Sequence, residues 1–431
     1  MTETVAVNKQ KILIITYPFP PIPYSGSYRT LRLCKGLAKL GVEVHVLTIK
    51  IDSRLPNDFG LLSQVPGSVA VHRIPIIDPW IKYQHWKKNR LKNGFRCVNK
   101  LFSFLMRLIV IPDHQNLWVS SAVTHGAKII KKYNIKTILI SSPPNSSQLI
   151  GYFLKKRTNV KWIADFRDPI IGNIAATHLI NPKGIIAKIE SRLLGFLEKI
   201  VVKNSDIAIA NTETHRKELK GKFKTDKFVT IRNAFDEDDY KDITSKKYEK
   251  FTIAHIGSMY GLRKADILFK AIKSLEKAIA LQALKLQVFF VGNSDDALNQ
   301  SIIKHGVEKY VEIKGMVPHK EAIQIMMRSH LLLLIKATGK GSLGQIPAKF
   351  FEYLGTNNRI LCLGSAKSEV AHLITKLKAG YVIEKDKDFL VKTLMKEYKR
   401  FVDCNMQLLR DYDKRELSSD FMAKAVKGII L

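Results

Sequence analysis

The sequence predicts an α/β protein made of two doubly wound domains, and three observations carry that prediction. Short apolar, β-branched runs alternate with amphipathic helical stretches along the whole chain. A polar, charged interruption at 232–250 splits the alternation into two series. The length of 431 residues suits two domains of about 200 residues better than one, because a single core stops growing near that size.

In the first series, ILIIT (12–16), VEVHVLTI (42–49), TILISS (137–142), VKWIA (160–164), DIAIA (206–210) and FVTI (228–231) read as buried parallel strands. The stretch 29–41 between the first two reads as a helix. Leu31, Leu33, Cys34, Leu37, Ala38 and Leu40 form its apolar face, and Gly41 supplies the stop. The second series follows with FTIAHIG (251–257), LQVFFVG (286–292), YVEIKG (310–315), LLLLIK (331–336), RILCLG (359–364) and GYVIE (380–384). Several of these strands end in glycine, at the carboxyl edge where a doubly wound sheet opens its ligand crevice. The expected organisation is a first domain over 1–238, a linker over 239–250 and a second domain over 251–431. The segment from Asp388 reads as helical, with its final helix a candidate to cross back to the first domain.

Composition narrows the partners. There are 71 Lys and Arg against 38 Asp and Glu, a net charge of +33, and 46% of residues are hydrophobic, which excludes intrinsic disorder. Residues 1–200 hold 30 basic and 10 acidic side chains, a net +20, so the front half is the more basic. Such a balance attracts an anion: nucleic acid, acidic lipid or a phosphorylated small molecule. Cys34, Cys97, Cys362 and Cys404 are far apart and form no C-x-x-C pair, so neither a disulfide framework nor a zinc cluster is expected. The start, MTETVAVNKQ, lacks the basic-then-apolar order of a signal peptide, and no 18-residue apolar run occurs. The expectation is a cytoplasmic protein.

The most informative stretch is 331–355, LLLLIKATGKGSLGQIPAKFFEYLG, read as strand, glycine-rich loop and helix. Gly339, Gly341 and Gly344 let backbone approach a ligand, and Pro347 suits a first helical turn. The helix N-terminus then favours an anion such as a diphosphate. Lys349 and Glu352 share a helix face; the lysine would neutralise phosphate and the carboxylate would accept ribose hydroxyls. The alternative is an ordinary turn with a surface ion pair. No G-x-x-x-x-G-K-[ST] loop occurs.

Further along the same logic, 255–272 places Gly257, Gly261, Arg263 and Lys264 just before a helix. Two cations there oppose the helix dipole unless a bound anion compensates; otherwise this is a solvated basic loop. In the first domain, 16–31 is a proline-stiffened loop with Gly26 and Arg29 ahead of a helix. The strand at 160–164 runs into Asp165, Phe166, Arg167, Asp168 and Pro169, either an ion-pair knot or a catalytic or acceptor cluster with Asp165 nearest the crevice. DEDD (236–239) resembles a metal-binding pattern but lies in the polar interruption and reads as a solvated turn. Residues 80–112 contain eight Lys or Arg, no acid, and interleaved Trp80, Tyr83, Trp86, Phe95, Phe102 and Phe104. That mixture suits an anionic membrane surface; nucleic-acid stacking, or core plus solvated face, are the other readings.

Taken in order, these blocks resemble the GT-B glycosyltransferases, specifically the large retaining group called family 4. ILIITYPFPP with SGSYRTLRLCKGLAKLG resembles the family's opening strand, loop and helix. IPDHQNLW, SSPPNSSQLIG and WIADFRDP resemble blocks of bacterial surface-polysaccharide members, and IRNAFD the segment before the interdomain linker. GMVPHKEAIQIMMRSHLLLL and IPAKFFEYLGTNNRILCLG are similar to donor-side blocks.

The resemblance implies two Rossmann-like domains facing each other across a cleft, with a nucleotide-sugar in the second. Glu352 matches the second glutamate of the E-x7-E signature, implied to hold the ribose. Arg263 falls at the diphosphate lysine of the G-R-x5-K pattern, and Gly26 lets the first-domain loop approach the diphosphate. Gly344 stands where a glutamate is usual and Ser258, after Gly257, where an arginine is usual; Lys349 is the replacement cation.

The candidate donor-binding residues are therefore Gly26, Arg29, Gly257, Arg263, Gly344, Lys349 and Glu352. Arg263, Lys349 and Asp165 are the catalytic candidates, Asp165 because relatives place a histidine or acid near that point. The implied reaction is sugar transfer from a nucleotide-sugar to a cell-surface glycan or polyprenyl-linked acceptor, with retention and without metal. It would take place at the inner face of a membrane, with no nucleic-acid partner. A non-catalytic scaffold of the same fold and a nucleotide-sugar epimerase are the alternatives.

Overall fold

The computed structural model describes residues 9–76, 113, 115–171, 185–241, 243, 246–261, 263–279, 284–337, 341–404 and 413–430. The basic and aromatic stretch 80–112 lies outside them, as does Gly339. The chain forms two compact units, Met1–Arg232 with Asp420–Leu431, and Asn233–Ser419.

Among the described residues the first unit holds seven strands: β1 Lys11–Ile15, β2 Glu43–Ile49, β3 Ala70–Ile74, β4 Thr137–Ser142, β5 Lys161–Phe166, β6 Ile207–Ala210 and β7 Phe228–Thr230. All pair in parallel in the order β3-β2-β1-β4-β5-β6-β7. The helices are α1 Ser25–Lys39, α2 Phe59–Leu62, α3 Trp118–Tyr133, α4 Ser147–Thr158, α5 Ile185–Asn204 and α6 Glu213–Phe223. Trp118, Trp162 and Phe166 anchor the core beside Ile138, Ile140 and Leu154. Helix α1 is buried well beyond one stripe, Arg29 and Arg32 included. Gly41, at φ 78°, takes the left-handed position that stops it.

The second unit repeats the plan with β8 Phe251–Ile256, β9 Leu286–Val291, β10 Val311–Gly315, β11 Leu331–Ile335, β12 Arg359–Leu363 and β13 Gly380–Ile383. Their order is β10-β9-β8-β11-β12-β13, again all parallel. Its helices are α7 Asp266–Ala278, α8 Asp296–His305, α9 His319–Arg328, α10 Ala348–Gly355, α11 Glu369–Lys376 and α12 Lys387–Val402; the last helix of the chain is α13 Ser419–Lys427. Successive strand residues alternate between two layers. Ile253, Phe290 and Leu333 pack into one core with Phe269 and Leu390. Ala254, Phe289 and Leu334 face another with Phe350 and Phe351. Both faces are covered, which is why these strands read as continuous apolar runs.

The units begin and end differently from the expected domain boundaries. Described residues within the polar stretch 239–250 are fastened to the second unit: Tyr240 Oη donates to Glu352 O (2.8 Å), Tyr248 N to Arg328 O (3.1 Å), and Lys247 Nζ to Met327 O and Ser329 O. Phe235 N donates to Leu417 O and Ser419 N to Phe235 O, so residues from 233 belong there too. Asp236 is buried and caps the short helical turn Glu237–Tyr240 by accepting from Asp238 N, so DEDD is only partly the solvated turn expected. At the far end, Lys427 Nζ donates to Leu40 O (2.9 Å) and Gln10 Nε2 to Ile430 O (3.2 Å), which places α13 in the first unit.

Candidate donor site

The winding of the second sheet reverses between β8 and β11, and such switch points are where doubly wound sheets bind ligands at the strand carboxyl ends. The two strands share only the register pairs Leu331–Ile253 and Leu332–Ala254 and then part. Tyr353 of α10 fills the opening. Its hydroxyl accepts from Ile256 N (2.9 Å) and donates to Leu333 O (3.1 Å), satisfying backbone groups that would otherwise lose their ladder partners. Burial pushes its phenol well above the ordinary range.

His255, fully buried on β8, uses the same carbonyl: its Nδ1 lies 2.9 Å from Leu333 O. A carbonyl only accepts, so Nδ1 carries the proton and Nε2 keeps a lone pair. That lone pair faces Lys349 Nζ at 3.2 Å, and the ammonium donates to it. Burial, followed by the Lys349 charge, holds His255 far below the usual imidazole range, which keeps it neutral.

Lys349 itself is perturbed. Desolvation first, then the Arg263 guanidinium, pull it down to about 7, and Glu352 opposes the shift without restoring it. Gly257, at φ 123°, gives the ammonium its room: a Cβ there would overlap Lys349 Nζ, and few side chains tolerate that backbone conformation. Arg263 returns over the same loop and donates from a terminal nitrogen to Ser258 O (2.8 Å). Burial also lowers its pKa.

A further cation was not singled out from the sequence. Lys336, which follows β11, is 6% exposed; its ammonium donates to Ser342 O (2.8 Å) and to Gln345 O, holding the loop that contains Gly344. Burial brings it down to about 8, Cys362 opposes the shift, and Arg263 adds to it. The available signal was a lysine ending an otherwise all-aliphatic strand immediately before glycines. Glu352 points one oxygen toward His319 Nε2 at 3.7 Å. Beside the N-terminus of α7 lies a cavity of about 230 Å³ lined by Arg263, Lys264 and Lys304 together with Asp266, Asp295 and Ser301. Among the described residues no group of three or more His, Cys, Asp or Glu is arranged to hold a metal ion.

The structure thus brings Gly257, Arg263, Lys349 and Glu352 together, with Gly344 in the adjoining loop. It places the first-unit candidates otherwise. Asp165 is 2% exposed and both its oxygens are engaged: Arg29 donates to Oδ1 at 2.8 Å and Oδ2 at 3.1 Å, and Ser141 Oγ donates to Oδ2 at 3.1 Å. Arg29 also reaches Ile231 O (3.0 Å). The ion-pair knot exists, but the bonded partner of Asp165 is Arg29, whose position on α1 sequence spacing does not disclose. Arg167 instead donates to Ser142 O and Pro143 O, and a Cβ on Gly26 would collide with its guanidinium. Gly26 therefore makes room for Arg167. Burial raises the pKa of Asp168 against the opposing charges of Arg167 and Arg29.

No protein-family model and no curated protein sequence matches this chain. Solved structures do. A sucrose-phosphate synthase from Thermosynechococcus elongatus superposes with a TM-score of 0.65 at 12% identity, covering 98% of both chains. HepE of Anabaena in complex with UDP-glucose gives 0.61 at 12% identity over 97% of this chain and 98% of that one. A putative UDP-N-acetylglucosamine 2-epimerase from Listeria monocytogenes gives 0.56 at 12% identity over 98% and 96%. The fold is therefore that of the GT-B glycosyltransferases, and it is shared by proteins of more than one activity.

Proposed function

We propose that the chain is a nucleotide-sugar-dependent glycosyltransferase whose second unit holds the donor diphosphate between Arg263, Lys349 and the start of α10. One observation carries the reading. The Lys349 ammonium lies buried against His255 Nε2 at 3.2 Å, and burial first and then the Arg263 guanidinium disfavour its charge, with Glu352 too weak to compensate. Cations so arranged are unfavourable until an anion arrives. In transfer, the bond from the sugar to the diphosphate breaks and negative charge grows on the departing oxygen. Fixed cations and the N–H groups at the start of α10 stabilise that charge most where water is excluded. Glu352 is assigned to the ribose hydroxyls. Retention of configuration, a surface-glycan or polyprenyl-linked acceptor, independence of metal and attachment to the inner face of a membrane complete the proposal, on the strength of the sequence blocks that resemble family 4.

Asp165 is assigned a structural role, as the buried partner of Arg29. The test is incubation with UDP-, GDP- and dTDP-sugars, with and without glycan acceptors, scoring free nucleotide and sugar identity. Nucleotide release that requires acceptor supports transfer. Conversion of the donor to another sugar without acceptor would assign an epimerase, and no binding of any nucleotide-sugar would leave a scaffold.

A further inference from the structure

Helix α5 carries an outward face that neither the core nor the donor site uses. At 100° per residue, Lys188, Arg192, Lys199 and Lys203 fall within about 60° of one another, and all four are exposed. The next sector of similar width holds Phe196, Ile189 and Leu193, which are 63%, 41% and 43% exposed. The opposite side supplies the core through Leu197, Val201 and Val202. Of the two acids in the helix, Glu198 is buried against Lys222, and Glu190 lies across the wheel from the cations. This face is therefore positive along one edge and apolar along the other, with no acid between them.

We propose that this face of α5 seats the first unit on an anionic lipid bilayer, with Phe196, Leu193 and Ile189 entering the headgroup boundary and the cations meeting lipid phosphates. Charge decides the occupant. A cationic stripe beside an apolar one is what a helix lying in a bilayer interface requires, whereas a second copy would bring its own positive stripe against this one. The helix does not span: among the described residues none is long and apolar enough to cross a membrane. The proposal deepens the membrane-attached part of the reading above and is independent of sugar transfer.

Flotation of the full chain with vesicles tests it, using phosphatidylcholine alone and phosphatidylcholine with one third phosphatidylglycerol. Wild type is expected to float with the anionic vesicles only. Lys188→Gln with Arg192→Gln and Lys199→Gln should weaken partition by about fivefold per cation. Leu193→Ser with Phe196→Ser, at exposed positions and with nucleotide binding measured as a check on folding, should weaken it as well. Flotation of both variants equal to wild type would overturn the proposal, and loss confined to variants in 80–112 would move the contact there. No flotation of wild type would overturn the membrane reading too, while nucleotide binding by the same preparation would leave the donor site standing. A wild-type dimer made monomeric by the serine variant would show that a second copy covers the face and would equally overturn it.

Discussion

The Lys349 ammonium donates to Nε2 of His255 at 3.2 Å, while the other ring nitrogen of that histidine is committed to Leu333 O at 2.9 Å. Strand β11 therefore fixes the tautomer of a residue on β8, and that residue in turn aims a lysine on α10. Three elements at one switch point determine where a single positive charge sits.

That charge titrates in an accessible range. With Lys349 brought down to about 7, binding of a diphosphate favours its protonated form. Affinity for a nucleoside diphosphate should therefore fall as pH rises above 7, by up to about tenfold per unit. Calorimetric titrations between neutral and alkaline pH check this, and Lys349→Arg, which keeps its charge, should flatten the profile.

The same lysine should trade stability for binding. Its folded pKa of about 7 lies below its ordinary 10.5, so between those values the unfolded chain binds the extra proton and stability rises with pH. Lys336, at about 8, acts in the same direction. Lys349→Met should raise the melting temperature at neutral pH without ligand and remove the stabilisation by nucleotide; thermal melts with and without nucleotide read both effects.

At the acid end the sign is the same and the groups differ. His215 and His330 are buried and lowered to about 4 by desolvation, and His255 is lowered further. Below pH 6.5 the unfolded chain takes up protons that the folded chain refuses. Stability should fall as pH drops from 6.5 toward 4, by on the order of 3 kcal/mol for each of His215 and His330, with His255 adding to the fall in the same direction. Denaturant midpoints across that range measure it, and His215→Gln should shallow the fall.

In the first unit, Asp165→Ala would leave the Arg29 guanidinium, 5% exposed, without its carboxylate. Breaking such a pair destabilises by about 3–5 kcal/mol. Urea unfolding should show a loss of that size, and a variant with full stability but no turnover would return Asp165 to catalysis.

Much of this architecture was legible because strands covered on both faces are written as unbroken apolar runs, as in LLLLI at 331–335. Strand β3 was not: AVHRI lies at the sheet edge, only Ile74 is buried, and its alternating polar residues do not stand out. Arg263, Lys349 and Glu352 were legible because glycines and a helix start flag them locally. The Arg29–Asp165 pair spans 136 positions and His255–Lys349 spans 94; such partners are set by topology, which spacing along the chain does not encode. Lys247 looked like part of a charged linker, yet it reaches three acceptors on the second unit.

On the proposed reading, Arg263 and Lys349 hold the donor diphosphate. Titrating wild type, Arg263→Ala and Lys349→Ala with a nucleoside diphosphate and with the matching nucleoside tests it most directly. Each variant should lose about tenfold or more in affinity for the diphosphate, with the weak nucleoside affinity unchanged. Equal diphosphate affinity in all three proteins would contradict that reading.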